Sequence, residues 1–369
     1  MSAAVLRVGV TGAGGFIGSN LMLALSERGV EAVGIPHKAD DAQLSDLFSG
    51  VDLVVHLAGV NRPADPAEFW SGNVVFTQRI VDALAGQGRI VPLVLASSIQ
   101  AARDTPYGRS KRDAEDIVRA YGLRTGAPVH VLRLPNVFGK WCRPDYNSVV
   151  ATFCHNIARG LPVRIDDPAA EIGLLYIDDL IDAFVSIATS GQSAAPGPVH
   201  RITIGSLADQ IRAFRDSRTS LVTAPVGSGL VRALHATYLS YVPPQNFAYP
   251  LRAHEDQRGL FAEFLKTGDS GQVSVFTALP GVTRGGHYHH SKTEKFLVVQ
   301  GQARFRFRHM VSGETHALET SSDQLQVVET VPGWSHDVTN IGPDQLIVVL
   351  WANELFDPAR PDTIAAPLR

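Results

Sequence analysis

Two groups of side chains in this sequence have the types and spacing that chemistry needs. The first is Tyr107 with Lys111, a phenol and an ammonium four residues apart. On a helix that spacing puts both on one face. A neighbouring cation favours the phenolate and is expected to draw the phenol down from its ordinary pKa of about 10 toward neutrality. Tyr107 can then hand a proton to a ketone oxygen while a hydride reaches the carbon. Ser97 and Ser98, closing an apolar run, offer a hydroxyl to hold the same oxygen. The second group is His287, His289, Glu294 and His336. Alternation along a strand sends His287 and His289 to one side. Three imidazoles and a carboxylate make an oxygen/nitrogen set suited to a divalent metal, zinc foremost, with room for a further ligand. His290 and Lys295 lie beside the set as candidates for proton transfer and enolate stabilisation.

A third pattern implies a cofactor. Thr11-Gly12-Ala13-Gly14-Gly15-Phe16-Ile17-Gly18 follows a β-type run and precedes an apolar helical stretch. Its glycines let the backbone turn tightly and approach a pyrophosphate, which the free N–H groups of the helix start then meet. Gly12, Gly15, Phe16, Ile17 and Gly18 are therefore candidate dinucleotide contacts. After the second β-type run, Ile35-Pro36-His37-Lys38 puts positive charge where an acid would grip the ribose of NAD. His37 and Lys38 suit the extra phosphate of NADPH, although Asp40 and Asp41 lie close by.

The elements that must position these residues fall into two halves. Between residues 5 and 137, β-rich runs at 7–11, 31–35, 52–57, 91–97 and 129–133 alternate with amphipathic stretches, the pattern of parallel βαβ units in an α/β Rossmann-type domain. Residues 147–241 are mixed and partly helical, where a substrate lobe would sit. Pro243, Pro244 and Pro250 disfavour regular structure and mark a boundary, giving domains 1–243 and 244–369. Beyond it, short runs at 272–276, 295–299, 303–308, 325–329 and 346–351 predict an all-β sandwich or barrel. A chain of 369 residues is long enough for two such cores. With 33 basic and 36 acidic residues there is no basic excess to meet nucleic acid. No apolar stretch reaches the roughly 20 residues of a membrane helix, and residues 5–10 open as a strand, so a cytoplasmic protein is expected. Cys142 and Cys154 are the only cysteines and are expected to be small buried hydrophobes.

With the glycine loop, His56-Leu57-Ala58-Gly59, Ser97-Ser98, Tyr107/Lys111, Leu132-Arg133-Leu134-Pro135-Asn136-Val137-Phe138-Gly139 and Tyr176-Ile177-Asp178-Asp179, residues 5–185 resemble an extended short-chain dehydrogenase/reductase of the nucleotide-sugar type. That resemblance implies that Ser98 is the working serine. It also puts Leu57, Ala58, Gly59 and Lys111 at the cofactor, and Asn136 beside nicotinamide and sugar. Only eight residues separate Ser98 from Tyr107, where relatives commonly insert a longer loop, so the pocket is expected to differ on that side. The histidine spacing of the second half resembles the cupin superfamily over about residues 270–352, implying a jelly-roll barrel. The stretches around Arg258 and Arg284 are similar to nucleotide-sugar epimerases on the same barrel, where the matching arginine grips diphosphate and the residue matching His287 is the base. Ligand and base thus compete for His287; ligand is favoured because His289, Glu294 and His336 complete a set.

The two halves in this order resemble the bifunctional capsule and O-antigen enzymes that make the precursor of UDP-N-acetyl-L-fucosamine. Val60-Asn61-Arg62-Pro63, Phe138 to Cys142, Tyr146 to Cys154 and the stretch from Trp351 to Pro358 carry that likeness. It implies a barrel that inverts carbon 3 of a UDP-linked 4-keto-2-acetamido-2,6-dideoxy sugar. The first half would reduce the ketone with NADPH to the UDP-2-acetamido-2,6-dideoxy-L-talose product. It also implies Asn147 at the substrate and a homodimer. A cupin ketoisomerase and a non-catalytic cupin dimerisation module stay open as alternatives.

Overall fold

The computed structural model describes residues 6–290, 292–359 and 361–368; Val5, the first residue of the expected opening strand, lies outside them. The chain divides into two compact units, Met1–Ile211 with Ala233–Val242, and Arg212–Arg232 with Pro243–Arg369. The segment 212–232, which a single cut after residue 243 leaves with the first half, groups with the second.

In the first unit, β1 (Arg7–Thr11), β2 (Glu31–Ile35), β3 (Leu53–His56), β4 (Leu93–Ser98) and β5 (Val129–Leu134) form a parallel sheet in the order β2-β1-β3-β4-β5. β3 and β4 are buried along their whole length, as continuous apolar strands covered on both faces must be. The chain runs outward from β1 to β2 and returns to β3, so the direction of winding reverses between β1 and β3. Crevices beyond the strand ends at such a reversal are where α/β sheets bind ligands. The helix Pro106–Thr125 starts where Thr105 caps the N–H of Gly108 and Pro106 fits the first turn, and it ends at Gly126 in the left-handed region. Its inner face, Ala114, Val118 and Tyr121, joins Ile80, Leu84, Leu93 and Leu95 in the core. The Tyr121 hydroxyl donates to the Val91 carbonyl at 2.8 Å. A second, small sheet holds β6 (Asn136–Phe138), β7 (Glu171–Tyr176) and β8 (Val199–Thr203).

The second unit is all-β apart from helix ends and one short turn. One sheet contains β9 (Val222–Thr223), β10 (Ala253–Asp256), β11 (Gly259–Thr267), β12 (Gly271–Ala278), β14 (Glu294–Gln300), β17 (Val327–Glu329) and β19 (Leu346–Ala352). The other contains β13 (Thr283–Tyr288), β15 (Gln302–His309), β16 (Thr315–Ser321), β18 (Trp334–Asn340) and β20 (Ile364–Ala365). Phe276, Phe296 and Leu350 from the first sheet pack with Phe305 and Val338 from the second, closing a cupin-like sandwich around one core. β13 carries an irregularity opposite β18: Arg284 pairs with Val338 and Gly285 with Asp337, but the next pair is His287 with His336. Gly286 is the extra residue, and both it and Gly285 take positive φ angles. Among the described residues, no helix is long and apolar enough to cross a membrane.

Candidate active site and metal centre

The glycine loop lies at the C-terminal end of β1 and leads into the helix Phe16–Glu27. No side chain caps that helix, so the first-turn N–H groups of Phe16, Ile17 and Gly18 are left for an anion. A Cβ on Gly18 would sit 2.1 Å from the Gly12 carbonyl oxygen, which is why the loop can close here only on glycine. The loop is pinned to β3 by a buried relay. Thr11 Oγ1 accepts from the N–H groups of Leu57 and Ala58, both at 3.1 Å, and so must donate its own hydrogen to His56 Nδ1 at 2.7 Å. His56 Nε2 then donates to Thr77 Oγ1 at 2.9 Å, and Thr77 donates to the Asn73 carbonyl. Burial, with the Lys111 charge adding to it, lowers His56 to about 3 and keeps this imidazole neutral.

A cavity of about 710 Å³ opens beside the loop. Of the expected cofactor contacts, Gly12, Gly15, Phe16, Ile17, Gly18, Leu57, Gly59, Lys111 and Asn136 line it; Ala58, His37 and Lys38 do not. His37 packs on Phe76, and Lys38 lines a separate shallow cavity with Arg7, Gln43 and Asp46. The two nearby acids are engaged elsewhere: Asp40 forms a capping box with Gln43, and Asp41 pairs with Arg79 at 2.7 Å. Ser98, Tyr107 and Asn147 also line the main cavity.

The tuning of Tyr107 differs from the sequence expectation. Burial raises the phenol above its ordinary value, and a hydrogen bond with Ser98 offsets this only in part. Lys111 spends a proton on the Ala96 carbonyl at 2.8 Å, and burial lowers the lysine to about 8. The ammonium therefore does not govern the phenol here; desolvation does. Behind Lys111, Glu115 is sealed from solvent and accepts from Ser97, Arg119 and Arg133.

Sequence reasoning missed Asn73. It sits in a π-helical turn, Trp70–Val75, accepts from the Val60 N–H at 2.8 Å and donates to the Val60 carbonyl and to Ser110. It thereby holds the Gly59–Val60 turn at the cavity wall. No residue pattern announces a π turn, although such turns recur at functional sites. Tyr146 was likewise unassigned; its hydroxyl donates to Asn61 Oδ1 at 2.8 Å at the cavity mouth. Cys142 and Cys154 are both buried, as expected.

In the second unit the structure brings His287, His289, Glu294 and His336 together, with candidate ligand atoms all within 4.8 Å of one another. His289 Nδ1 donates to the Asp362 carbonyl, which can only accept, so the ring's lone pair lies on Nε2. That atom faces Glu294 Oε2 at 3.2 Å, and His336 Nε2, buried without a hydrogen-bond partner, stands 3.3 Å from the same oxygen. Lone pairs converging on a buried carboxylate repel unless a cation or proton lies among them, so the donor set fits a divalent metal. Burial and the neighbouring imidazoles lower His287 to about 4, leaving it neutral and able to ligate.

His287, Glu294 and His336 of this cluster line a cavity of about 630 Å³, together with Arg258, Arg284, Lys292, Asp337 and Thr363. Arg284 donates to the Thr277 carbonyl at 2.9 Å and keeps a buried Nη2 without a partner. His290 and Lys295 do not line it. Alternation along β14 turns Lys295 to the side opposite Glu294, where it pairs with Glu329, and His290 packs on Tyr288. Lys292, 3.0 Å from Glu294 Oε1, lines the cavity in their stead.

Comparison with known proteins agrees with both halves. Residues 8–205 match the model of the NAD dependent epimerase/dehydratase family, and residues 254–364 match the polysaccharide biosynthesis C-terminal domain. The chain is 52% identical over 365 residues to a UDP-2-acetamido-2,6-beta-L-arabino-hexul-4-ose reductase from Pseudomonas aeruginosa, covering 98% of each chain. It is also similar to the crystal structure of the capsular polysaccharide assembling protein CapF from Staphylococcus aureus, with a TM-score of 0.90, 39% identity and coverage of 98% of this chain and 100% of the other. A CapF structure with the inhibitor 3-isopropenyl-tropolone matches with a TM-score of 0.86 at 34% identity over 98% of this chain and 100% of that one. The chain belongs to the NAD-dependent epimerase/dehydratase family, as an extended short-chain dehydrogenase/reductase half followed by a cupin-like polysaccharide biosynthesis domain.

Proposed function

We propose that the first unit reduces the 4-keto group of a UDP-linked 2-acetamido-2,6-dideoxy sugar, and that the barrel inverts carbon 3 of the same sugar beforehand. The observation that carries the reading is the convergence of Ser98, Tyr107 and Lys111 on the wall of the cavity that the glycine loop opens. NADPH bound there supplies the hydride to carbon 4. Tyr107 donates its phenolic proton to the ketone oxygen, Ser98 holds that oxygen, and Lys111 grips the ribose and returns the proton to the phenol. Asn136 and Asn147 orient the sugar. Preference for NADPH over NADH is supported by the engagement of Asp40 and Asp41 in other contacts, while His37 and Lys38 follow β2 outside the main cavity.

In the barrel, a divalent metal, zinc by its donor set, supplies Lewis-acid stabilisation of the enolate oxygen. His287, His289, Glu294 and His336 hold it. Arg284, with its unpartnered Nη2, and Arg258 receive the diphosphate. Lys292 exchanges the proton on carbon 3, a role that His290 and Lys295 are too remote from the cavity to fill. Reduction removes the ketone that makes carbon 3 acidic, so the product cannot epimerise back. The 52% identity to a reductase of this substrate class supports the assignment, and the product is the L-talo sugar. The enzyme works as a homodimer in the cytoplasm.

The test is Tyr107→Phe with the 4-keto sugar in deuterated water. NADPH oxidation should stop while deuterium still enters carbon 3. Loss of exchange together with reduction in a folded variant contradicts the division of labour.

A further inference from the structure

Residues 361–368 touch His287 and His289 directly and reach Ser335, the neighbour of His336. We propose that this C-terminal segment, through Asp362, is the strap that fixes the orientation and tautomer of His289 and thereby sets how tightly the barrel holds its cation. The inference rests on the metal reading of the cluster.

Asp362 contacts the site from both its backbone and its side chain. Its carbonyl takes the Nδ1 hydrogen of His289, which leaves Nε2 as the ligating atom. Its carboxylate accepts from the N–H of His290 at 2.8 Å through Oδ1 and from the N–H of Lys292 at 2.9 Å through Oδ2. Those two amides lie within the short link between His289 and Glu294, so one side chain ties down the segment that spaces these two residues. The residues after it continue the grip. β20 pairs with β13 at His287 and Tyr288, and the Ala366 N–H donates to the Gly286 carbonyl at 2.8 Å. The Ser335 hydroxyl donates to the Ala366 carbonyl, next to His336. Thr363 stands on the cavity wall itself.

A histidine that ligates a metal is held by whatever accepts its other ring hydrogen, and loss of such a partner commonly weakens metal affinity by about 10- to 100-fold. Here the acceptor is main chain, so no substitution at position 362 removes it outright. What the Asp362 carboxylate contributes is the register that brings that carbonyl to His289. Without it, the segment can shift and the imidazole can rotate.

The experiment uses the full-length chain, stripped with a chelator and titrated with Zn²⁺ alone against a competing chromophoric chelator. Asp362→Ala should weaken Zn²⁺ binding by about 10- to 100-fold, and Asp362→Asn, which keeps one acceptor, should fall between it and the wild type. NADPH binding to the first unit should be unchanged in both. Wild-type Zn²⁺ affinity in both variants overturns the strap while leaving the metal reading intact. Failure of the unaltered chain to bind Zn²⁺ stoichiometrically overturns the metal reading and the strap with it. Should the alanine variant not fold, the asparagine variant decides: an affinity equal to wild type refutes the proposal.

Discussion

Replacing Glu115 by glutamine keeps its shape and removes its charge. The carboxylate is buried at 0% exposure, yet it accepts from Ser97 Oγ at 2.6 Å, Arg133 Nε at 2.8 Å, Arg133 Nη2 at 2.7 Å and Arg119 Nη2 at 2.8 Å. Burial alone would raise its pKa; the hydrogen bonds from Arg133, Ser97 and Arg119 outweigh that and lower it from 4.5 to about 2. At full value such a lowering is worth about 3 kcal/mol of folding free energy. The partner arginines are nearly half exposed, at 46% and 44%, so solvent screening reduces the expected contribution to about 1–2 kcal/mol. Glu115→Gln should therefore unfold in less urea at pH 7, followed by fluorescence of Trp70 and Trp141 in the first unit. A depressed folded-state pKa makes this contribution complete above about 4.5 and lost as pH falls through about 2. The gap between wild type and variant should thus stay constant down to about pH 5 and close only in stronger acid. Equal stability at pH 7 refutes the reasoning, and so does a gap that has already closed at about pH 6.

Two further outcomes follow from the same geometry. Gly18→Ala would force a Cβ to 2.1 Å from the Gly12 carbonyl oxygen and open the loop, so calorimetry should find NADPH binding lost while zinc content is unchanged; retained affinity would show that the loop tolerates the shift. Because burial holds Lys111 to about 8 in the free protein, its positive charge is lost as pH rises through that value. NADPH affinity should then fall between about pH 7 and 9, and a flat profile would show that Lys111 stays charged or does not carry the contact.

Much of the first unit was legible because its signals are local. β1 and β2 begin and end where the apolar runs do, and the glycine loop follows β1 directly. Tyr107 and Lys111 share a helix face because four residues make about one turn. What spacing cannot convey is desolvation, which depends on everything packed around a group; the phenol accordingly moves up and not down. In the barrel, the gathering of His287, His289, Glu294 and His336 into one cluster was legible from residue type and order. Lys292 was overlooked in favour of Lys295 because the choice turns on which side of β14 Lys295 faces, opposite the buried Glu294 and Phe296, and on the path of the link before β14 that carries Lys292 to the cavity. The expected strand at 325–329 begins only at Val327, and β11, β16 and β18 were not anticipated, since their mixed polar residues alternate weakly. Asp362 lies in a tail with no periodicity, and its importance comes from a contact 73 positions distant in sequence.

The extra residue in β13 has a consequence for what the barrel can recognise. Val338 and His336 are two apart on β18 and both face inward, whereas their counterparts Arg284 and His287 are three apart. On a regular strand an odd interval would turn one of them to the outside. Gly286 acts as a phase shift, letting a guanidinium and an imidazole share one wall, the first suited to negative charge and the second to a cation. Excising that single glycine would restore the strict beat of the strand and leave the chamber able to greet only one of those two charges.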